Sequence, residues 1–77
     1  MDIETFIKHF SEQLEEPEAV QITASTKFHE IDEYSSLLAL TIIAMIDEEY
    51  DVTVKGEDLR KAQTIEDLFN IVKEKKS

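Results

Sequence analysis

The side chains that could carry covalent chemistry in this chain are two adjacent serines, Ser35 and Ser36, and two histidines, His9 and His29. A nucleophilic serine enzyme needs a base within hydrogen-bond reach of the hydroxyl and a third group that orients the base. Neither histidine stands in a recognisable triad order, and no Gly-x-Ser-x-Gly turn surrounds either serine. The chain also has no cysteine, which excludes a thiol nucleophile. The sequence therefore argues against an enzyme.

Metal and nucleotide chemistry have little support. Asp47, Glu48 and Asp51 could share a divalent cation loosely, because residues four apart are neighbours on a helix. They lack the loop and the glycine of an EF-hand, so a solvated acidic face is the better interpretation. A glycine-rich phosphate loop is excluded, since Gly56 is the only glycine.

One position remains that suits a phosphate group, at the start of a predicted helix. Amide groups in the first turn of a helix, together with the positive end of its dipole, favour a phosphate attached nearby. Ser35 is predicted to cap this helix by accepting from these amides, which leaves the Ser36 hydroxyl free.

The elements that must position this serine are predicted to be helices. Apolar spacing predicts an all-α fold: a small four-helix bundle with three main helices, one short helix and a long loop between helices one and two. A single domain is expected over residues 1–77, with an extended connector at residues 51–54. The helices are expected at about residues 2–15, 36–50, 57–61 and 65–73.

Local signals mark where these elements begin and end. Pro17 disfavours helical geometry at the preceding residue and is expected to end helix one. Phe28 and Ile31 are the predicted buried anchors of the long loop. Thr64 and Asp67 have the spacing of a capping box, with Asp in place of Glu, at the start of the last helix.

The charge of the chain limits its partners. A formal net charge of −10 repels nucleic acid and anionic lipid and attracts basic protein surfaces. The N-terminus has no basic and apolar signal segment, and no apolar run is long enough for a membrane span. We therefore expect a cytoplasmic, stand-alone monomer.

Helix two is unusually apolar. Every residue from Leu37 to Ile46 is apolar except Thr41. A helix that is apolar nearly all round must be covered on most sides, and a chain of 77 residues has little material to cover it. Part of this helix is therefore expected to face a ligand or a partner.

These residues resemble a known family. Tyr34-Ser35-Ser36-Leu37, followed by Tyr50-Asp51, is similar to the acyl carrier proteins, whose Asp-Ser-Leu motif opens helix two. The resemblance implies a carrier in which 4'-phosphopantetheine is attached covalently to Ser36. A phosphopantetheinyl transferase would move it from coenzyme A, and acyl groups would be held on it as thioesters. The arm would supply the thiol that the chain lacks.

The resemblance also implies partners and a pathway class. Acyl-loading and acyl-accepting enzymes with basic or apolar docking surfaces would bind helix two, in fatty-acid, lipid or related acyl metabolism. Ser35 replaces the family's aspartate, and two helix-two positions that are usually acidic are apolar or neutral here, which predicts a different partner set. The expected docking residues are Leu37, Leu38, Leu40, Thr41, Asp47 and Glu48.

Three questions stay open at this point. The cargo could be aminoacyl or peptidyl rather than acyl, and the chain could instead be an unmodified helical adaptor that binds proteins through helix two. An acyl chain could enter between helices two and four, near Ile46 and Phe69, or those side chains could fill a core with no spare volume.

Overall fold

Helices form nearly all of the regular structure in the computed structural model, which describes residues 2–76. Within those residues there is no strand, only an isolated bridge between Lys27 and Thr64. The predicted all-α class, with three longer helices and a short one, is therefore confirmed. The elements are α1 (Ile3–Ser11), a 3-10 turn (Phe28–Glu30), α2 (Ser36–Tyr50), α3 (Gly56–Lys61) and α4 (Ile65–Lys76).

Helix α1 ends one turn earlier than predicted, at Ser11 instead of residue 15. The amides of Gln13 and Leu14 bond to the carbonyls three residues before them, so the chain tightens into turns. Leu14 still reaches the core, and the backbone N–H of Glu15 donates to the carboxylate of Glu33. This long-range bond holds residues 12–15 outside the helix, so the helix ends before Pro17.

The core lies where α1, α2 and α4 meet. The Phe6 ring of α1 is fully buried and lies 5.5 Å from the Phe69 ring and 5.7 Å from the Tyr50 ring, measured between centroids. The connector after α2 is extended as predicted, and its Val52 and Val54 side chains are buried. The end of α2 is therefore held by α1, which precedes it, and the connector after it is anchored in the core.

Two anchors fix the long loop, as predicted. Phe28 is fully buried and Ile31 is nearly so. The loop is also tied to the start of α4, because the backbone N–H of Ile65 donates to the Thr26 carbonyl at 3.1 Å. The loop before Ser36 is thus held in two ways, by side chains buried in the core and by a backbone hydrogen bond to α4.

The last helix is longer than predicted and reaches Lys76 instead of residue 73. The Lys76 ammonium donates to the Tyr50 carbonyl at 2.8 Å, and Lys75 lies 3.6 Å from the Asp58 carboxylate. These contacts hold the additional turn against the end of α2 and against α3. No helix within residues 2–76 combines the length and the apolar character needed to cross a membrane.

The capping box at the start of α4 is confirmed. The Thr64 hydroxyl accepts from the Asp67 backbone N–H at 3.1 Å, and the Asp67 carboxylate accepts from the Thr64 backbone N–H at 3.2 Å. The Gln63 backbone N–H donates to the same carboxylate. Together the bonds from Thr64 and Gln63 lower the pKa of Asp67 below its ordinary value of 3.8.

We expect Asp67→Asn to be less stable than the wild type at pH 7, and this difference to disappear in acid. Because the pKa of Asp67 is lowered by folding, its ionised form stabilises the fold above pH 3.8, and this stabilisation is lost as the pH falls through the folded-state pKa. Urea unfolding of both proteins between pH 7 and about pH 2 measures the difference. Glu66→Gln is the matched control, since the Glu66 carboxylate makes neither hydrogen bond of the capping box. A difference that stays constant to the lowest pH would contradict this account.

Candidate functional site

The two serines at the start of α2 have different structural roles. Ser35 is the N-cap, with an extended backbone, and its Oγ accepts from the backbone N–H of Leu38 at 3.2 Å. Ser36 is the first helical residue and is exposed. Across the part of the chain that the structure describes, the Ser36 hydroxyl makes no hydrogen bond. The predicted cap is confirmed, and the neighbouring hydroxyl is accessible.

The electrostatics at this helix start suit a phosphate on Ser36. The first turn of α2 contains no acidic residue, so no side chain of that turn neutralises the positive end of the helix dipole. The amides of Ser36 and Leu37 belong to the first turn, where no intrahelical acceptor exists. Glu33 precedes the helix, but its carboxylate accepts from the backbone N–H of Glu15. A phosphodiester at this position would therefore meet donors that the fold leaves unused.

A cavity of about 380 Å³ opens beside Ser36, between α2, α3 and the end of the long loop. Its walls are mostly apolar side chains of α2 and α3, while polar groups of the loop and α3 line the remainder. The lining includes Tyr34, Ser36, Leu40, Ile43, Leu59 and Arg60. A chain attached to Ser36 would therefore begin at the wall of this cavity.

His29 shapes this cavity and is not placed as a base for Ser36. Its Nε2 lies 2.8 Å from the Leu59 carbonyl oxygen, a hydrogen bond that ties the loop to α3. Its ring lies 4.4 Å from the Phe28 ring and 5.1 Å from the Tyr34 ring, between centroids. Burial raises the pKa of the Tyr34 phenol, which keeps it neutral. These rings act as a wall.

Most of the predicted docking residues lie on one outward face of α2. Leu37 is 73% exposed and Leu40 is 63% exposed, so two large apolar side chains face outward close together on α2. Asp47 and Glu48 are exposed near the other end of the helix. Thr41 is half-buried, and its hydroxyl donates to the Leu37 carbonyl at 3.0 Å. The face is apolar near Ser36 and acidic near its far end.

Leu38, which the sequence also predicts as a docking residue, is buried and does not belong to this face. It is only 7% exposed and lies in the core with Ile42 and Met45. The reason is helical geometry, because residues four and seven positions after Leu38 share its side of α2. The spacing of Leu38, Ile42 and Met45 in the sequence is consistent with one buried side, but nearly all the residues between them are also apolar, so the spacing does not stand out.

The position of the cavity differs from the position that the sequence suggested for an acyl chain, between helices two and four. Side chains between α2 and α4, such as Ile46 and Phe69, are buried members of the core. The cavity beside Ser36 lies instead between α2 and α3, and it brings Arg60, which the sequence did not single out as functional, near Tyr34 of the serine motif. No local motif marks Arg60, since it reaches this site only because the loop folds against α3.

Comparisons with known proteins agree with this geometry. The family model described as "Phosphopantetheine attachment site" matches residues 4–72. An acyl carrier protein from Kocuria rhizophila is 35% identical over 57 residues, which cover 74% of this chain and 68% of that protein. No solved structure matches the chain. The free hydroxyl and unused amides at the start of α2 fit the group that this family binds. The chain therefore belongs to the phosphopantetheine-binding carrier proteins, a non-catalytic family, as a distant homologue of the acyl carrier proteins.

Proposed function

We propose that the chain holds acyl groups as thioesters on a 4'-phosphopantetheine arm esterified to Ser36 and delivers them to partner enzymes. The observation that carries this proposal is the Ser36 hydroxyl, which is exposed, free of hydrogen bonds within residues 2–76 and placed at the first residue of α2. It lies inside the residues matched by the family model.

The residues of the chain would hold the arm but would not attach it. Attachment forms a bond between the Ser36 Oγ and phosphorus and breaks the pyrophosphate bond of coenzyme A, which releases adenosine 3',5'-bisphosphate. The Ser36 proton needs a base, and within residues 2–76 the Ser36 hydroxyl is hydrogen-bonded to no histidine or carboxylate. A separate phosphopantetheinyl transferase would therefore supply the base. When bound, the arm supplies the thiol on which acyl groups are held.

The outward face of α2 is the proposed docking surface for the transferase and for enzymes that load or accept acyl groups. Exposed Leu37 and Leu40 would contact apolar surfaces, and Asp47 and Glu48 would attract basic ones. Thr41 lies beside them, where the family more often has an acid. We place this single carrier domain, as a monomer, in the cytoplasm and in fatty-acid, lipid or related acyl metabolism, to which the likeness to an acyl carrier protein points.

Incubation of the purified protein with coenzyme A and a broad-specificity phosphopantetheinyl transferase is expected to add the mass of one arm per chain. Intact-mass spectrometry measures this gain. The modified protein should then accept acyl groups from an acyl-loading enzyme in preference to amino acids from an aminoacyl-loading one. If several transferases add no mass, the carrier proposal fails and an unmodified adaptor that binds through α2 is favoured.

A further inference from the structure

Arg60 is placed where it could contact whatever is attached to Ser36. It lies on α3 and lines the cavity that Ser36 also lines. Its guanidinium is directed back along the helix over Gly56: a Cβ at that glycine would lie 3.5 Å from the Arg60 Nη1. The side chain thus lies along the cavity wall.

The charge of Arg60 is not balanced by a carboxylate. The chain contains 18 acidic residues against eight basic ones, yet for residues 2–76 no ion pair within 4.0 Å involves Arg60. Lys75, in contrast, lies 3.6 Å from the Asp58 carboxylate. The only arginine of a strongly acidic chain therefore keeps five N–H donors open beside a mostly apolar cavity.

A group attached to Ser36 is the expected occupant of the cavity. A group esterified to Ser36 cannot diffuse away, so its effective concentration at the cavity is high even where each contact is weak. An apolar segment of such a group would contact Ile43 and Leu59, and an anionic oxygen would be favoured at Arg60, because guanidinium groups bind phosphate and carboxylate through paired hydrogen bonds.

We propose that Arg60 binds an anionic oxygen group of the arm attached to Ser36, either the phosphodiester at its base or a carboxylate on its cargo. The inference rests on the proposed function and deepens it. If the cargo is the source, Arg60 is a specificity-determining residue that favours acyl groups with a terminal carboxylate over neutral acyl groups of the same length. If the phosphodiester is the source, Arg60 orients the arm along the cavity.

The experiment uses the Nε–Hε NMR signal of Arg60, which is unambiguous because the chain has one arginine. The 15N-labelled protein is measured without the arm, with the arm, and with hexanoyl or adipoyl cargo, which have equal carbon number and differ by one carboxylate. Binding should shift the signal and slow its hydrogen exchange about threefold, the order expected for a charge pair at a partly exposed site. A change on arm attachment identifies the phosphodiester, and a change with adipoyl cargo alone identifies the carboxylate.

Variants provide a second measurement on the attached group. Arg60→Gln should return the 31P signal of the phosphodiester, or the 13C signal of a labelled adipoyl carboxylate, to its value in a free peptide. Lys61→Gln is the matched control, since it removes a neighbouring cation of α3 that does not line the cavity. The inference would be overturned if the Arg60 and Lys61 variants changed the 31P or 13C signal equally. It would also be overturned if arm attachment left the Arg60 signal unchanged and hexanoyl and adipoyl cargo then shifted it equally, or if the Arg60 signal were the same in every form of the protein.

Failure of this inference is distinct from failure of the proposed function. Intact mass shows whether the arm is present before any NMR spectrum is recorded. A protein that gains the arm but leaves Arg60 unchanged keeps its carrier function and loses only the role of Arg60. A protein that never gains the arm on Ser36 loses the proposed function itself.

Discussion

Replacing Ser36 by alanine is expected to abolish attachment of the phosphopantetheine arm completely and to leave the fold intact. In the proposed function the Ser36 hydroxyl is the nucleophile, and alanine at the first position of α2 offers no group to replace it. Because Ser36 is exposed and its hydroxyl makes no hydrogen bond within residues 2–76, its loss should change the free energy of unfolding by less than about 0.5 kcal/mol. Intact-mass spectrometry after incubation with transferase and coenzyme A measures attachment, and urea unfolding measures stability.

Ser35→Ala is the matched control, one residue away with the same atom removed. The Ser35 Oγ caps α2 through the Leu38 backbone N–H, so its removal should cost about 1 kcal/mol of stability. Attachment should still reach one arm per chain. Loss of attachment in this variant but not in Ser36→Ala would show that the two serines have the opposite roles.

Replacing Phe28 by alanine is expected to lower the free energy of unfolding by about 3–5 kcal/mol, the usual cost of truncating a buried aromatic side chain. Phe28 is fully buried, and its ring lies 5.8 Å from the Phe10 ring and 5.5 Å from the Tyr34 ring, between centroids. A domain of this size has a modest total stability, so a loss of this magnitude should leave much of the chain unfolded or its loop detached. Thermal and urea unfolding, followed by circular dichroism, measure the loss.

Leu37→Ala is the control for Phe28→Ala, because it removes a large apolar side chain that is 73% exposed. Its cost should stay within about 0.5 kcal/mol. If Phe28→Ala costs no more than Leu37→Ala, the loop is not anchored by Phe28, and the wall formed by His29 and Tyr34 beside Ser36 loses its support in this account.

The start of α2 could be predicted from the sequence because its signals are local. A serine at the cap position and a helical run after it determine the geometry with few distant contacts, and the same holds for the capping box of Thr64 and Asp67. The accessible position of Ser36 followed from that geometry. The identity of the attached group did not, since it came from resemblance to a family.

The features that the sequence missed depend on contacts between distant residues. Helix α1 ends early because the Glu33 carboxylate, 18 residues away, accepts from the Glu15 backbone N–H. The cavity lies where the loop meets α3, and there His29 forms a hydrogen bond with the Leu59 carbonyl, 30 residues away. The burial of Leu38 has a local cause: it follows from helical spacing, but an apolar run with almost no polar residue hides which side faces the core.

The central claim is that Ser36, and not its neighbour, carries the arm, and tandem mass spectrometry of the modified wild-type protein tests it most directly. Cleavage after Glu33 and Glu48 releases the peptide of residues 34–48, which contains both serines. Fragments that break between Ser35 and Ser36 assign the added mass to one of them. We expect the whole mass gain to lie on Ser36; an arm found on Ser35, or on any other residue, would contradict attachment at Ser36.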